Sequence, residues 1–418
     1  RRQRQMCIRD RDIVRSRNSP FGLGSGLAGG VCFRVLNAQV NDMNTAKKVF
    51  IYDTTLRDGA QAEGVTFSPI AKVHVVRMLD AFGVDYIEGG YAASNPKDMA
   101  FFEDIRKEKL QHAKITAFGS TRRANVDIAK DKGTQALLDA ETEVCTIFGK
   151  SWLLHVLEVL KTTPEENLAM IEDTCRYLKE HGKEVIYDAE HFFDGYLDNP
   201  EYALKTLEAA VSGGADVLVL CDTNGGRLPH EVYEITGLVR EKFGVEIGVH
   251  THDDSGVGVA NALEGVRAGA LHVQGTINGF GERCGNCNLV AVVANLIMKT
   301  DYTCLADPEQ LKNLKLVSQF VNEQANLRDN QRAAFVGDSA FAHKAGMHVD
   351  GVRKVSQSFE HVPPDAVGNS RRILISELSG ASNVMEKLIE MGLDNIDRKS
   401  PEVREILQTL EKMEKGGY

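Results

Sequence analysis

The chain has 418 residues, 43% of them hydrophobic and 26% charged, which is the balance of a globular protein with a large core. Its formal net charge of -10 argues against a nucleic-acid-binding protein, because neutralising phosphates requires clustered Lys and Arg. No apolar run reaches the roughly 18 residues that would span a bilayer, so we predict a soluble protein with no membrane partner.

Residues 1–42 differ in composition from the rest of the chain. They begin with crowded arginines, continue into a glycine-rich stretch and show neither a helical nor a strand period. An organelle transit peptide is one interpretation, but such peptides are poor in acidic residues, and Asp10 and Asp12 therefore fit poorly. We therefore predict a disordered or non-native leader, with Met43 as the natural start.

From Val49 onward, short apolar runs alternate with amphipathic segments at intervals of roughly 25 to 40 residues, the spacing of repeated βα units. The predicted strands are residues 49–52, 84–88, 114–118, 143–148, 184–187, 217–221, 246–250 and 271–276. Eight such units favour a closed TIM (β/α)8 barrel over residues 47–305. A doubly wound open sheet is the alternative, weakened because no G-x-G-x-x-G follows the first strand.

Capping residues followed by proline predict where several helices begin, and glycines predict where they end. The predicted starts are Ser68, Thr163 and Asn199, with Glu166 placed for a capping box opposite Thr163. The predicted ends are Gly83, Gly182, Gly213 with Gly214, and Gly244.

After about residue 300 the pattern changes, and we predict a smaller, mainly helical subdomain over residues 306–395 with no clear strand. A helix should open at Asp307, and a polar, glycine-rich loop should cover residues 335–351. Residues 396–418 are predicted to start a truncated C-terminal region.

The active site of a TIM barrel lies at the C-terminal ends of its strands, so the polar residues that follow each apolar run are the candidates. His250 ends the seventh predicted strand and His252 follows it, at a two-residue spacing that points both imidazoles the same way. With Asp58 after the first strand they form a catalytic ligand set for zinc, manganese or magnesium-like ions, to which Asn286 can add an amide oxygen. The alternative is that the histidines are satisfied core groups and Asp58 is a loop carboxylate.

Two further charged residues belong to the same mouth. Arg57 would place a permanent cation beside the metal, suited to a substrate carboxylate or a developing oxyanion, although a structural salt bridge is the alternative. Glu190 follows the fifth predicted strand and is a candidate acid or base.

The eight cysteines are scattered, mostly in apolar stretches, which indicates reduced thiols of a cytoplasmic protein rather than a disulfide framework. Cys284 and Cys287 form a C-x-x-C, but no second pair completes four zinc ligands. We therefore set aside a structural zinc site.

Three motifs together resemble one enzyme family. They are D-T-T-L-R-D-G at residues 53–59, H-T-H-D-D at 250–254 and G-F-G-E-R-C-G-N at 279–286. In this order they resemble the Claisen-condensing acyltransferases related to 2-isopropylmalate synthase and homocitrate synthase, and the resemblance covers residues 49–390. Further segments are similar to the branch of that family that makes citramalate: residues 86–90, 118–123, 188–195 and 376–380.

The resemblance implies an enzyme that condenses acetyl-CoA with pyruvate to give (R)-citramalate and CoA, in the isoleucine part of branched-chain amino-acid biosynthesis. It implies that pyruvate chelates a divalent metal beside Asp58, His250 and His252, where the keto carbon is activated. Arg57 and the Thr223 hydroxyl would steady the oxygens. A base then removes a methyl proton of acetyl-CoA, the enolate attacks the carbonyl, and hydrolysis of the thioester releases the products.

By the same similarity, Glu190 and His348 are the acid and base candidates. His348 would come from the helical subdomain of a partner subunit, which implies a homodimer. Phe359 stands where relatives commonly carry a tyrosine, so a phenol hydroxyl role does not transfer. The chain also stops at Tyr418, whereas relatives continue into a regulatory domain, so we expect no feedback inhibition by isoleucine or leucine.

Other functions remain open at this stage. A 2-isopropylmalate synthase would use 2-oxoisovalerate in leucine biosynthesis, and one or two methylenes give only about 1 to 3 kcal/mol of discrimination. A metal-dependent aldolase or lyase on the same scaffold would not consume acetyl-CoA. A non-catalytic scaffold protein is disfavoured by the complete set of acidic and imidazole residues.

Overall fold

The computed structural model describes residues 46–93, 96–374, 381–393 and 395–416. The predicted leader at 1–42 and the family segment at 376–380 lie outside these ranges. Within the described part of the chain, no helix is both long and apolar enough to cross a membrane.

Eight parallel strands close into a barrel, which confirms the predicted TIM fold and excludes the open sheet. Each strand pairs with the next along the chain, and the first pairs with the last. The strands are β1 Phe50–Asp53, β2 Tyr86–Tyr91, β3 Lys114–Ser120, β4 Val144–Lys150, β5 Glu184–Glu190, β6 Val217–Asp222, β7 Glu246–Thr251 and β8 His272–Gly275.

Helices follow the strands along the chain and continue into the C-terminal part. Those of the barrel are α1 Pro69–Phe82, α2 Pro96–Ile105, α3 Lys132–Asp139, α4 Pro164–Glu180, α5 Phe192–Asp198, α6 Pro200–Ser212, α7 Pro229–Lys242, α8 Gly258–Ala268 and α9 Leu289–Lys299. Those that follow the barrel are α10 Leu314–Gln324, α11 Gly346–Lys354, α12 Ala381–Glu390 and α13 Pro401–Lys415.

The three predicted helix starts are confirmed. Ser68, Thr163 and Asn199 each precede a proline, and each side chain accepts a backbone N–H of the first turn. The predicted capping box is not formed, because Glu166 Oε1 accepts from Arg122 Nη1 at 2.6 Å and from a backbone N–H instead. The stronger charge-assisted partner therefore takes the carboxylate away from the helix start.

Replacing Thr163 by alanine is expected to lower the free energy of unfolding by about 1 kcal/mol, since the Glu166 N–H then loses its acceptor. Urea unfolding followed by circular dichroism measures the change. Thr162→Ala is the matched control, because the Thr162 side chain does not cap α4; its effect should stay within about 0.5 kcal/mol. Equal losses in the two variants would contradict the capping role.

The C-terminal part differs from the prediction in two details. Ala342–His343 pairs with Arg372–Ile373 in a short parallel ladder, so strands do occur after residue 300. Two residues are too few to show a period in sequence. The end of the predicted 335–351 loop is helical, since α11 begins at Gly346 and buries Val349 and Val352 at helical spacing.

The last two helices pack on each other around a small apolar cluster. It contains Val384, Met385 and Leu388 of α12 and Val403 of α13. This contact crosses the predicted boundary at residue 395, and the division there stays a prediction.

The barrel interior changes character along its axis. Its apolar layer includes Tyr52, Ile186 and Val219. Buried polar side chains adjoin it towards the C-terminal strand ends and form a polar layer, as at Asp188 and Gln274, the register partners of Val219 and Tyr52. This polar layer leads directly to the mouth where the predicted site residues lie.

Candidate metal centre

Asp58, His250 and His252 bring their ligand atoms together at the mouth of the barrel, all within 4.8 Å of one another. Asp58 Oδ2 lies 3.4 Å from His250 Nε2 and 3.9 Å from His252 Nε2. The two Nε2 atoms are 3.2 Å apart. All three residues are buried, so water screens their interactions weakly.

Local structure explains how this arrangement arises. His250 belongs to β7, and His252 follows it at the spacing that returns a side chain to the same face. Asp58 lies in the turn after β1, where the Thr54 carbonyl accepts the N–H groups of Arg57 at 3.2 Å and of Gly59 at 3.0 Å. The turn folds Asp58 back towards the strand ends.

An unpaired buried atom indicates that this donor set fits a cation. Asn286 Oδ1 is buried and has no hydrogen-bond partner in the structure. The Asn286 amide nitrogen donates to the Phe280 carbonyl at 3.1 Å, which leaves its oxygen available beside His252 across a β-bridge. Buried polar atoms without partners are costly. Two imidazoles, a carboxylate and an amide oxygen suit several divalent ions, zinc, manganese and magnesium among them.

The protonation states of Asp58 and His252 favour metal binding, which requires deprotonated ligands. Burial raises the pKa of Asp58, but the combined lowering by the Arg57 guanidinium and the two imidazoles is larger. The net pKa of Asp58 is therefore well below its usual range. Burial and the adjacent His250 lower the pKa of His252 to about 3. At neutral pH the centre therefore holds an anionic carboxylate and a neutral His252.

Arg57 lies beside the three ligand residues and is fixed on two sides. Its Nε donates to Glu88 Oε2 at 2.6 Å, and its guanidinium carbon lies 3.6 Å from the centre of the Phe118 ring. Its Nη1 is 3.7 Å from Asp58 Oδ2. Arg57 therefore does form a structural salt bridge, which was the alternative role for this residue. The same pair with Glu88 holds the guanidinium beside the candidate centre.

Glu88 was not singled out from the sequence, although it lies in the 86–90 segment. It is fully buried and accepts hydrogen bonds from Tyr52 and Thr54 as well as from Arg57. The sequence did carry a signal, which is a carboxylate within an apolar strand. A charge in such a position is buried only when it is paired, so Glu88 indicated a buried cationic partner.

Glu190 and Thr223 lie at the ends of β5 and β6, with partners of their own. Glu190 forms a close ion pair with Lys150, its register partner on β4. The sequence did not predict this ion pair. The Thr223 hydroxyl oxygen accepts the backbone N–H of His191 at 2.9 Å. Both side chains belong to the same mouth as Asp58, since the strands are parallel.

His348 is exposed on α11, where its ring stacks on Phe359. The ring centres are 4.3 Å apart and the planes are inclined by 29°. Gly351 makes the stack possible, because a Cβ at this position would overlap the Phe359 ring. Among the described residues, His348 is not part of the Asp58, His250 and His252 group.

The C-x-x-C at Cys284 and Cys287 does not form a metal group in the described part of the chain. Cys284 is exposed and Cys287 is buried, and both are free thiols. Burial raises the pKa of Cys287 to about 12. At neutral pH the Cys287 thiol is therefore protonated.

Comparison with protein families accounts for nearly all of the described chain. Residues 48–321, which include the barrel, match the HMGL-like family model. The chain belongs to the HMGL-like family. Residues 335–415 match the model described as homocitrate synthase post-HMGL domain-like.

Two curated relatives and one solved structure give the scale of the similarity. An (R)-citramalate synthase from Aquifex aeolicus is 53% identical over 89% of this chain and 70% of its own. A 2-isopropylmalate synthase from Methanocaldococcus jannaschii is 33% identical over 86% of this chain and 67% of its own. An HMG-CoA lyase from Brucella melitensis superimposes with a TM-score of 0.57 at 18% identity, over 67% of this chain and all of that one, and shares the fold.

Proposed function

We propose that this protein is an acyltransferase that condenses acetyl-CoA with pyruvate to give (R)-citramalate and CoA, a step of isoleucine biosynthesis. The observation that carries the proposal is the buried centre of Asp58, His250 and His252 with Arg57 fixed beside it. Its place in a chain 53% identical to an (R)-citramalate synthase supports pyruvate as the substrate.

The proposed roles follow from charge and position. Asp58, His250 and His252, with Asn286 as a fourth ligand, would hold a divalent cation. When bound, this cation supplies Lewis-acid polarisation of a keto group. Arg57 binds the carboxylate or the developing oxyanion, because its guanidinium is a permanent cation held in a fixed orientation.

Proton transfer is assigned to groups at the edge of the mouth. Glu190, oriented by its ion pair with Lys150, acts as acid or base towards the acetyl methyl group or the new hydroxyl. The Thr223 hydroxyl can still donate after accepting the His191 N–H, and it steadies a substrate oxygen.

His348 needs a second subunit for the proposed role. It lies on an exposed face of α11, so we propose that a homodimer brings it to the partner's barrel mouth. The location we propose is the cytoplasm, supported by free cysteines, five of the six described ones being buried.

The test is CoA release measured with pyruvate and, separately, with 2-oxoisovalerate. We expect release that requires both acetyl-CoA and the 2-oxo acid, with pyruvate preferred by about tenfold or more, since a pocket shaped for a methyl group rejects an isopropyl group. Faster turnover of 2-oxoisovalerate would instead assign the protein to 2-isopropylmalate synthesis. Carbon–carbon cleavage without thiol release would assign it to the lyases.

Phe359 offers a separate prediction. Phe359→Leu removes the ring that stacks on His348, and an aromatic contact of this kind contributes about 0.5 to 1.5 kcal/mol. We therefore expect kcat to fall by roughly 2- to 10-fold. Phe359→Tyr retains the stack and is the matched control, because the 46% exposed ring leaves room for a hydroxyl. A Leu variant as fast as the original would show that the stack does not position His348.

A further inference from the structure

The two imidazoles of the candidate centre are held in different ways. His250 Nδ1 lies 2.8 Å from Gln274 Oε1, and Gln274 Nε2 donates to Asp188 Oδ1 at 2.9 Å. All three residues are buried. His252 Nδ1 has no hydrogen-bond partner in the structure. Only one of the two rings is therefore tied to the protein through its second nitrogen.

The order of donors and acceptors in this chain determines where the His250 proton lies. A glutamine amide donates only through nitrogen and accepts only through oxygen. Because the Gln274 nitrogen faces a carboxylate oxygen, its carbonyl oxygen faces His250, and His250 Nδ1 must be the donor. In a neutral imidazole the lone pair is then on Nε2, the atom that faces Asp58 and His252.

We infer that Gln274, itself held by Asp188, is a positioning residue that fixes His250 in the Nδ1–H tautomer and directs its Nε2 lone pair at the metal. This inference rests on the proposed metal centre. Partners of this kind fix ring orientation and raise ligand basicity, and their loss typically weakens metal binding by about 10- to 100-fold.

The barrel architecture provides this contact through strand register. His250 of β7 and Gln274 of β8 are opposite each other in the parallel ladder, so both side chains enter the interior at the same level. Asp188 reaches the amide from β5 across the barrel. An amide satisfies both neighbours at once, because its oxygen accepts from His250 while its nitrogen donates to Asp188.

The test is a titration of the full chain with Mn²⁺. The electron paramagnetic resonance signal of the free ion measures how much Mn²⁺ is bound. Gln274→Met removes both hydrogen bonds of the amide. The Kd of this variant for Mn²⁺ should rise about 10- to 100-fold. The double variant Gln274→Glu with Asp188→Asn restores the pattern, because the introduced amide donates to the introduced carboxylate and that carboxylate accepts from His250. It should recover most of the lost affinity. Thr146→Val is the matched control, since Thr146 is equally buried in the barrel interior and contacts Tyr52 and Thr116 rather than His250.

A second readout reports the tautomer without any metal. Nitrogen-15 NMR of the imidazoles should show His250 protonated on Nδ1 in the original chain and in the double variant, and a tautomer mixture in Gln274→Met. If Gln274→Met misfolds, Gln274→Leu replaces it, because this variant also removes both hydrogen bonds and should bind Mn²⁺ more weakly than the double variant.

Several outcomes would overturn the inference. Unchanged Mn²⁺ affinity in Gln274→Met would do so, and so would a double variant that binds as poorly as the single one. An Nε2–H tautomer of His250 in the original chain would also contradict it. Failure of the original chain to bind Mn²⁺ would count against the metal centre itself, while the NMR result would still decide the tautomer.

Discussion

Replacing His252 by alanine is expected to remove the bound divalent cation and to lower the rate of CoA release by about 10³-fold or more. A cation at such a site supplies several kcal/mol of stabilisation, and about 1.4 kcal/mol corresponds to each factor of ten. Metal content after dialysis and thiol release from acetyl-CoA and pyruvate measure the two effects. Compared with the original chain stripped of metal, the variant should unfold at the same temperature or higher, because the mutation removes a buried unpaired Nδ1.

His74→Ala is the matched control for this prediction. His74 is exposed on α1 and is not part of the candidate metal group, so both metal content and rate should stay unchanged. Full metal content in His252→Ala would exclude His252 as a ligand.

Replacing Arg57 by lysine is expected to lower kcat by about 10²- to 10³-fold, the usual cost of losing one oxyanion-stabilising donor. Lysine keeps the positive charge opposite Glu88, so the fold should persist. It cannot reproduce the planar donor group that both pairs with Glu88 and stacks on Phe118. Steady-state kinetics of CoA release, with urea unfolding in parallel, separates the rate from stability.

Arg57→Met extends this test to the buried ion pair. It leaves the fully buried Glu88 without its cation, so we expect a further loss of about 3 to 5 kcal/mol in unfolding free energy. Arg77→Lys is the matched control, because Arg77 forms an exposed pair with Glu108 and should change neither quantity measurably. A lysine variant at position 57 with the original kcat would leave Arg57 with a structural role alone.

The barrel was predictable because each of its strands is a short apolar run between glycine, proline and capping residues. The bounds differ from the prediction by a few residues at most, as for β5, which continues to Glu190. The rule that active sites lie at strand ends was enough to bring Asp58, His250 and His252 together. Two-residue ladders were beyond prediction, since they depend on which segments meet in space.

The groups around the ligands were harder to find. Glu88, Lys150 and Gln274 act through partners on other strands, which only the barrel register identifies. In sequence each is one polar residue in or after an apolar run. The proposed role of His348 lies beyond one chain altogether, because it requires the face that a second subunit presents.

The candidate centre draws on both ends of the barrel sequence. Asp58 follows β1, whereas Asn286 follows β8, and these two strands are neighbours only once the barrel has closed. A bound ion would therefore link the first and the last strand, and its affinity would report completion of folding. At a concentration of 100 times its Kd it would add about 2.7 kcal/mol to the stability of the native state. Fragments carrying only half of the barrel would lack this linkage, so the ion would distinguish closed barrels from partly folded ones.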